Sequence, residues 1–560
     1  MIKQWIKNNK TESVSILFFI LFAIYLWSGL ELRTPEYDEI WTLQFYASQP
    51  VSSILTDVAT PNNHPLNSLM IRYATMFGGY SMGAVRFPAW LSYCGLFVIA
   101  LIAAIKCFKN SVTRAAFLAW VMLNGVLVHY AETARGYAVQ TFFVTALFLS
   151  LILYNKYKEQ PARRKGYAIL FLLTAAGCCL SISSGILYVT FLTGFWWIFT
   201  TPFKSGIANI WKEQKPWIIS GIIFAIFVLL WYGLHYTEFA KGQAQFGDPM
   251  NSPERFFIFI SNTLTSLNLW IPLIFTVCGV ILLLLKVRKE DLKFCLVPLL
   301  ALAGMFLSAI ITKAGPPRVY LPWVPILCFS AAYTLDQLLE YSRIRKFSPV
   351  ILLAAIAAAA FSMNSVRQKA ADPDLGIAYS NLKENVSPDI YIAYRPTDAF
   401  VLSAVFGKDV IEDNLRRMQD PKMIMLFHDN LIGAMRFTDG STCSFAPTLS
   451  TPVQQGSMND DLGYWVYKLR TPRPGEKWEK SPLVLCRMFG THHEELRQKQ
   501  NWLKNNFAVV NAFLTRNLSR LYPAIPSMQF FVSSSPGLSA DEMLKLEEDR
   551  AGRIRFFILE

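Results

Sequence analysis

The sequence predicts an α-helical polytopic membrane protein followed by a separate α/β domain. Of its 560 residues, 53% are hydrophobic and only 16% are charged, and the mean hydropathy is +0.32. An ordinary soluble domain has about 25% charged residues. Apolar runs long enough for a bilayer, which requires about 20 residues per helix, recur from Val14 to Met363. This composition excludes an ordinary soluble enzyme.

About eleven membrane spans are predicted from these runs. They lie near residues 13–31, 84–105, 112–128, 137–155, 167–183, 184–201, 216–234, 269–287, 293–312, 319–335 and 348–364. The first run follows a basic stretch, as a signal peptide does, but it is long and ends in WSGLELRTPEYDE rather than at small residues. We therefore interpret it as a retained anchor helix.

The basic residues are distributed unevenly between the two sides of the predicted spans. They cluster at alternate span ends, at Lys3, Lys7 and Lys10, Lys106, Lys109 and Arg114, Lys156, Lys158 and Arg163–Lys165, Lys204, Lys212 and Lys215, Lys286, Arg288, Lys289 and Lys293, and Arg343, Arg345 and Lys346. This distribution accounts for the net charge of +14 without a nucleic-acid partner. By the positive-inside rule, it predicts a multi-pass protein of the plasma (inner) membrane with a cytoplasmic N-terminus. Eleven crossings then place the C-terminal domain outside.

Two domains are predicted, a transmembrane domain at residues 1–364 and an extracytoplasmic α/β domain at residues 365–560. The α/β domain shows β-rich segments in DIYIAY, KMIMLFH, GYWVYKL, SPLVLCRMF, MQFFVSS and RIRFFILE, and a helical pattern in HHEELRQKQNWLKNNFAVVNAFL. It contains Cys443 and Cys486, for which a disulfide is permitted but not established by spacing. The first outer loop, residues 31–83, is the longest, and its apolar spacing predicts amphipathic helices on the outer surface.

Polar residues in three outer segments are the candidates for chemistry. They are Asp38, Glu39, His64, Glu132, Arg135, Tyr137 and Arg318. The acidic pair and His64 lie in the first outer loop, the middle three in HYAETARGYAVQ, and the last arginine in GPPRVYLPWVP. The predicted topology puts all of them at one membrane face. Carboxylates, an imidazole and guanidinium groups together suit an enzyme that brings a lipid-linked anionic donor to an acceptor.

Structural interpretations of the same residues stay open. His64 is equally well explained as a loop histidine beside a proline, held by Asn62 or Asn63. Glu132 and Arg135 would share a face if their stretch is helical, and they would then satisfy each other at a membrane boundary. Arg318 is also the kind of residue that anchors a span by snorkelling.

Five motifs in order resemble those of the polytopic glycosyltransferases of the C superfamily (GT-C). They are the acidic pair, the NHPL segment, RFPAWL, YAETARGYA and PPRVYLPWVP. The greatest resemblance is to the branch of the protein O-mannosyltransferases and the lipid A aminoarabinose transferases, over residues 13 to 335. It implies an inverting transferase that takes a sugar from a polyprenyl phosphate on the outer face. The segment SISSGILY departs from the pattern of many relatives, which have an aromatic or histidine-containing stretch there.

The resemblance also implies roles for individual residues. Asp38 matches the catalytic base, and Glu39 matches a second acid that positions substrate or a divalent metal. Arg318 matches a group that binds the lipid phosphate. His64, Glu132 and Arg135 match recurrent motif positions without a settled role, and together with Tyr137 they are the candidates for substrate binding. Glu39, His64 and His235 are the weak candidates for holding a metal, which not every branch of the superfamily uses.

Two other classes of function remain as alternatives at this point. One is a polytopic lipid or glycan transporter or flippase, and the other is a noncatalytic scaffold whose exterior domain binds glycan or protein. Neither the sugar nor the acceptor, which is a lipid, a glycan or a protein hydroxyl, follows from the residues. The predicted partners are thus a polyprenyl-phosphate-linked sugar, its acceptor and membrane lipids.

Overall fold

The chain divides into two compact units. The membrane unit consists of Met1–Leu32 and Trp41–Ala370, and the C-terminal unit consists of Arg33–Ile40 and Ala371–Glu560. The computed structural model describes residues 10–30, 37–56, 63–79, 81–201, 207–237, 250, 252–285, 290–369, 390–393, 423–427, 449–459, 462–469, 483–487, 528–531 and 555–559. The predicted division into residues 1–364 and 365–560 stays a prediction.

Helices make up most of the described part of the membrane unit. In chain order its helices are α1 Lys10–Gly29, α2 Tyr37–Thr42, α3 Val51–Thr56, α4 Pro65–Gly78, α5 Met82–Cys107, α6 Ser111–Met122, α7 Gly125–Ala131, α8 Gly136–Lys156, α9 Pro161–Ser181, α10 Gly185–Thr200, α11 Ile207–Val228, α12 Pro253–Ser266, α13 Trp270–Leu285, α14 Lys293–Thr312, α15 Trp323–Leu338, α16 Ser342–Arg345 and α17 Ser348–Lys369. The first residues of α2 are grouped with the C-terminal unit. Leu43–Ala47 and Leu229–Gly233 are π-helical, and Pro317–Tyr320 is a 3₁₀ helix.

Each of the eleven predicted spans overlaps one of these helices. By length and composition, five helices in the described residues are able to cross a membrane: α1, α5, α8, α14 and a helix from Ile210 to Gly233. The number rises to seven if two bent pairs each count as one span. These pairs are α6 with α7, bent by 51°, and α12 with α13, bent by 103°. The multi-pass character is therefore clear, and five to seven of the predicted spans meet this criterion.

Local sequence explains where several of these helices begin. Ser81 caps α5, its hydroxyl accepting a hydrogen bond from the Ala84 N–H at 3.1 Å. Asn124 caps α7 by accepting from the N–H groups of Val126 and Leu127. This cap starts a new helix directly after α6, which is why the third predicted span is bent rather than continuous. Helix α12, capped by Ser252, occupies part of the region predicted to be an outer loop.

One end of the membrane unit is held together around Asp336, near the C-terminus of α15. Its buried carboxylate accepts hydrogen bonds from the backbone N–H groups of Lys109 and Asn110 at 3.0 and 2.9 Å, and from Asn110 Nδ2 at 3.0 Å. Arg114 and Glu12 form an ion pair at the same end. We call this the basic end. The contacts at the basic end connect segments that were predicted, from their basic residues, to lie on the same side of the membrane.

The described residues of the C-terminal unit form two β-sheets. The strands are β1 Ile390–Ala393, β2 Met423–Phe427, β3 Leu449–Asn459, β4 Leu462–Leu469, β5 Leu483–Arg487, β6 Met528–Phe531 and β7 Arg555–Leu559. The sheet orders are β1-β2-β4-β3 and β6-β5-β7, and β1 with β2 is a parallel pair. Six strands coincide with the predicted segments, whereas β3 was not predicted. The predicted helix at residues 492–514 and Cys443 lie outside the described residues.

Replacing Asp336 with alanine is expected to destabilise the protein strongly. The substitution removes a buried carboxylate that accepts three part-buried hydrogen bonds, at an expected cost of about 2 to 4 kcal/mol. Glu340, one turn later, binds Lys109 Nζ at 3.2 Å, but 74% of that lysine side chain is exposed. Glu340→Ala should therefore change stability by less than about 1 kcal/mol. Thermal unfolding of both variants in one detergent checks this, and equal melting temperatures would contradict the role given to Asp336.

Candidate functional site

Four of the residues singled out in the sequence meet around the ring of Tyr137, in the first turn of α8. The imidazole of His64 packs edge-on against this ring, with 5.4 Å between centroids. Arg318 donates a hydrogen bond from Nε to the Tyr137 hydroxyl at 2.9 Å. The guanidinium carbons of Arg135 and Arg318 lie 5.5 and 5.8 Å from the ring centroid. The structure thus unites three distant motifs in a cluster that we call the Tyr137 site.

The Tyr137 site lies at the end of the membrane unit opposite the basic end. Tyr137 lies in the first turn of α8 and Lys156 ends it, while Arg318 precedes α15 and Asp336 lies in its last turn. A helix rises 1.5 Å per residue, so about 24 Å or more separates the two ends. The three motifs therefore converge at one helix end.

His64 is held in place by the start of helix α4. Its carbonyl accepts a hydrogen bond from the Ser68 N–H at 2.8 Å, and Pro65 occupies the first helical position, where proline is favoured. Asn63 does not bind the imidazole. Its side chain donates to the Ile54 carbonyl at 3.0 Å and accepts from the Ser68 hydroxyl at 3.1 Å. The asparagine thus fixes α3 against α4 and makes no hydrogen bond to the His64 ring.

The segment between α7 and α8 is a bend, not a helix. Glu132 is the C-terminal cap of α7, and Arg135 is the N-terminal cap of α8. The helical spacing that would place these two on one face therefore does not apply. The Ala134 carbonyl accepts a hydrogen bond from Asn67 Nδ2 at 3.3 Å, which joins the bend to α4. Arg135 reaches Tyr137 because the chain turns at this point.

Gly136 allows the close approach of His64. A Cβ atom at position 136 would lie 2.7 Å from His64 Cβ and 2.8 Å from its Cγ, much closer than such atoms pack. The glycine of ARGY is thus required by contact with the other motif, NHPL. Sequence alone showed the glycine but could not show its reason.

The environment of His64 keeps its imidazole neutral. Burial first, and then the positive charge of Arg318, lower the pKa of His64 from 6.5 to about 4. Neither ring nitrogen has a hydrogen-bond partner, and the side chain is buried. At neutral pH the ring therefore offers one N–H donor and one acceptor beside a guanidinium group.

The backbone around Arg318 is fixed by aromatic packing. Tyr320, in the same 3₁₀ helix, stacks on Phe306 and meets Phe259 edge-on, at 5.3 and 5.5 Å. The Tyr188 hydroxyl donates a hydrogen bond to the Val319 carbonyl at 3.0 Å. Tyr188 ends the SISSGILY segment that departs from the resembled pattern, so this segment supports Arg318. The arginine side chain itself is exposed to the surface.

The acidic pair lies in the first turn of helix α2. Asp38 is half-buried, and Glu39 is completely buried, at 0% exposure. Residues 33–40 group with the C-terminal unit. The meeting of Asp38 with the Tyr137 site therefore stays a prediction.

Two arginines without a predicted role bind the chain on either side of the acidic segment. Arg86, fully buried in the RFPAWL motif, donates to the Leu30 carbonyl at 2.6 Å. Arg72 on α4 donates to the Gln49 carbonyl at 2.7 Å. Ala47, Ile71, Val85 and Ala134 form a small apolar cluster in the same region. The position of Arg86 in a recurrent motif was the signal that could have identified it.

The residues around His64 do not fit a divalent metal. Within the described residues, no three His, Cys, Asp or Glu side chains group as metal ligands. The positive charge of Arg318 acts directly on His64, which disfavours a second cation there. His235 lies in the turn after the π-helical Leu229–Gly233. The charges of the Tyr137 site favour an anion.

Replacing Gly136 with alanine should displace His64. The added methyl group overlaps the imidazole base, and overpacking of this kind costs about 1 to 3 kcal/mol. Gly166 in α9 is the matched control, because a Cβ there meets no atom within 4 Å. Gly166→Ala should be neutral or stabilising by up to about 1 kcal/mol. Melting temperatures test the pair, and equal effects would contradict the close contact.

Lowering the pH from 6.5 to 4 should destabilise the folded protein through His64. The unfolded chain takes up a proton on this residue near pH 6.5, whereas the folded chain resists protonation until about pH 4. Stability is therefore complete above pH 6.5 and falls as pH decreases, by on the order of 3 kcal/mol. His64→Gln should lose this share of the pH dependence. Identical pH profiles of melting temperature for both proteins would refute it.

Comparison with known proteins returns solved structures only. No family model matches the chain, and no curated protein matches its sequence. The chain is similar to ArnT from Cupriavidus metallidurans in the apo state, with a TM-score of 0.49 and 13% identity over 80% of this chain and 97% of that chain. It is also similar to an oligosaccharyltransferase from Archaeoglobus fulgidus in complex with Zn and sulfate, with a TM-score of 0.46 and 12% identity over 96% of this chain and 88% of that chain. Similarity at this level does not establish a function, which is therefore argued from the residues of the site.

Proposed function

We propose that this chain is an inverting glycosyltransferase of the plasma (inner) membrane. It transfers a hexosyl or pentosyl group from a polyprenyl phosphate to an acceptor hydroxyl on the extracytoplasmic face. The observation that carries the proposal is the Tyr137 site. There the guanidinium groups of Arg135 and Arg318 and the neutral imidazole of His64 all lie next to the ring of Tyr137. Guanidinium groups bind phosphate oxygens through paired N–H donors.

A lipid-linked substrate is supported by the orientation of α4, the helix that begins at His64. Its protein-facing side buries Asn67, Ser68 and Thr75, while its other side exposes Tyr73, Met76 and Phe77, the last at 89%. A helix that buries polar residues and exposes apolar ones suits a boundary with lipid, not with water. Such a surface beside the arginines would accommodate the isoprenoid chain of a phospholipid-like donor.

The chemistry can be written for one in-line displacement. Asp38 takes the proton of the acceptor hydroxyl as its oxygen forms a bond to the anomeric carbon. The bond from that carbon to the phosphate oxygen breaks, and polyprenyl phosphate leaves with the electron pair. Arg318 and Arg135 stabilise the negative charge that develops on this phosphate. Attack opposite the leaving group inverts the anomeric centre. Glu39 is assigned to positioning of the acid segment or the substrate.

The position of the charged residues argues against the transporter alternative. In the five helices that are able to cross a membrane, the charged side chains lie near the helix ends, as Lys106 and Lys156 do. Transporters place ionisable groups and interrupted helices near the middle of the membrane. A site at one helix end is better suited to chemistry at the membrane surface.

Arg318→Ala should weaken binding of undecaprenyl phosphate by the protein in lipid nanodiscs. Loss of a charge-assisted contact predicts a decrease in affinity of about tenfold or more. Arg343→Ala, an exposed arginine next to the basic end, should leave the affinity unchanged. Equal affinities for wild type and Arg318→Ala would exclude the Tyr137 site as the phosphate site.

Asp38→Asn should abolish sugar transfer while undecaprenyl phosphate still binds. The amide keeps the size of the side chain but cannot accept the proton, so only the chemical step is lost. Transfer is measured with undecaprenyl phosphate carrying labelled mannose, glucose, galactose or aminoarabinose, supplied with membrane extract as the acceptor source. Retained transfer in this variant would reject Asp38 as the base.

A further inference from the structure

The contact between the first turn of α4 and the bend before α8 contains polar atoms without partners. They are His64 Nδ1 and Nε2, Asn67 Oδ1 and Thr133 Oγ1, and all are buried. Buried polar groups in native proteins are nearly always hydrogen-bonded, because an unmet group costs stability. Four such atoms from three residues at one contact indicate a site that a bound group completes.

These residues belong to one place in the fold. Asn67 lies one helical turn after His64, and its Nδ2 donates to Ala134, the residue after Thr133. Gly136, two residues further on, lies directly against the His64 side chain. Tyr137 then connects the contact to Arg318. The unpartnered atoms are therefore adjacent to the proposed phosphate site.

The chemistry of these groups indicates what they would bind. A neutral imidazole offers a donor and an acceptor, a threonine hydroxyl offers both, and the free oxygen of Asn67 accepts. The set contains no cationic group to hold a phosphate and no carboxylate or thiolate to balance the charge of a metal ion. Groups that both donate and accept match the hydroxyls of a sugar.

We propose that His64, Asn67 and Thr133 form the subsite for the sugar hydroxyls of the donor, while the arginines beside Tyr137 hold its phosphate. The assignment rests on the proposed function and gives the donor a direction in the site. Exposed Arg318 and half-exposed Glu132 border the contact, so the sugar enters from their side. Binding requires the non-helical bend at residues 132–135 to separate from the first turn of α4.

The test compares two ligands on Thr133→Val in nanodiscs. The probes are undecaprenyl phosphate alone and undecaprenyl phosphate linked to mannose, glucose, galactose or aminoarabinose. Wild type should bind one sugar-linked form more tightly than the bare phosphate. Thr133→Val should lose about tenfold in affinity for that form and nothing for the bare phosphate, the loss expected for one buried hydrogen bond. Its melting temperature should be equal or higher, because a buried hydroxyl without a partner is removed.

Two further variants separate binding from packing. Thr113, near the basic end, has a buried hydroxyl that also lacks a partner, so Thr113→Val makes the same change away from the site. This control should leave both affinities unchanged. Thr133→Ser keeps the hydroxyl and should restore affinity for the sugar-linked form.

Each of three outcomes would overturn the subsite. One is wild-type affinity of Thr133→Val for every probe, in which case water alone fills the contact. Another is a loss in Thr133→Val that serine does not restore, which indicates packing. The third is a wild type that binds no sugar-linked form more tightly than the bare phosphate. Failure of the proposed function differs from all three, because Arg318→Ala would then keep its affinity for undecaprenyl phosphate.

Discussion

The hydrogen bond from Arg318 Nε to the Tyr137 hydroxyl is the interaction on which the site depends. It joins residues 181 positions apart in the chain, and the imidazole of His64 packs edge-on against the same tyrosine ring. Since α8 and α15 begin next to these residues, the contact also sets how two membrane helices start relative to each other. Removing the ring would separate the three motifs that contribute polar groups.

Electrostatics at this end of the membrane unit follow from the same arrangement. Two guanidinium groups near one ring raise the local positive potential. Burial first, and then the charge of Arg318, lower the pKa of His64 so that the imidazole stays neutral. The ligand that suits this arrangement thus has an anionic group next to an uncharged polar group. A sugar phosphate ester combines both characters, with the charge on one side and hydroxyls on the other. That combination links the proposed function to the proposed sugar subsite.

Much of the fold was predictable because bilayer thickness and β-propensity act locally. Every predicted span overlaps a helix, and six described strands coincide with predicted apolar segments. Breaks were harder to predict. The cap formed by Asn124 divides the third span, and α12 forms inside a predicted loop, since a single capping hydrogen bond is a weak signal beside a long apolar run. β3, with Pro452 and mixed polarity, has no alternating pattern to recognise.

For the site, the sequence by itself determined which residue types lie at the ends of the helices and that His64, Tyr137 and Arg318 belong to one side. Composition and charge distribution suffice for this, because lipid excludes polar groups from the span interior. Only the tertiary structure decided that His64 packs directly against Gly136, that Glu132 and Arg135 flank a bend, and that Asn67 Oδ1 and Thr133 Oγ1 lie buried without partners. These are contacts between segments far apart in the chain, and no local pattern encodes the distance at which two backbones pack.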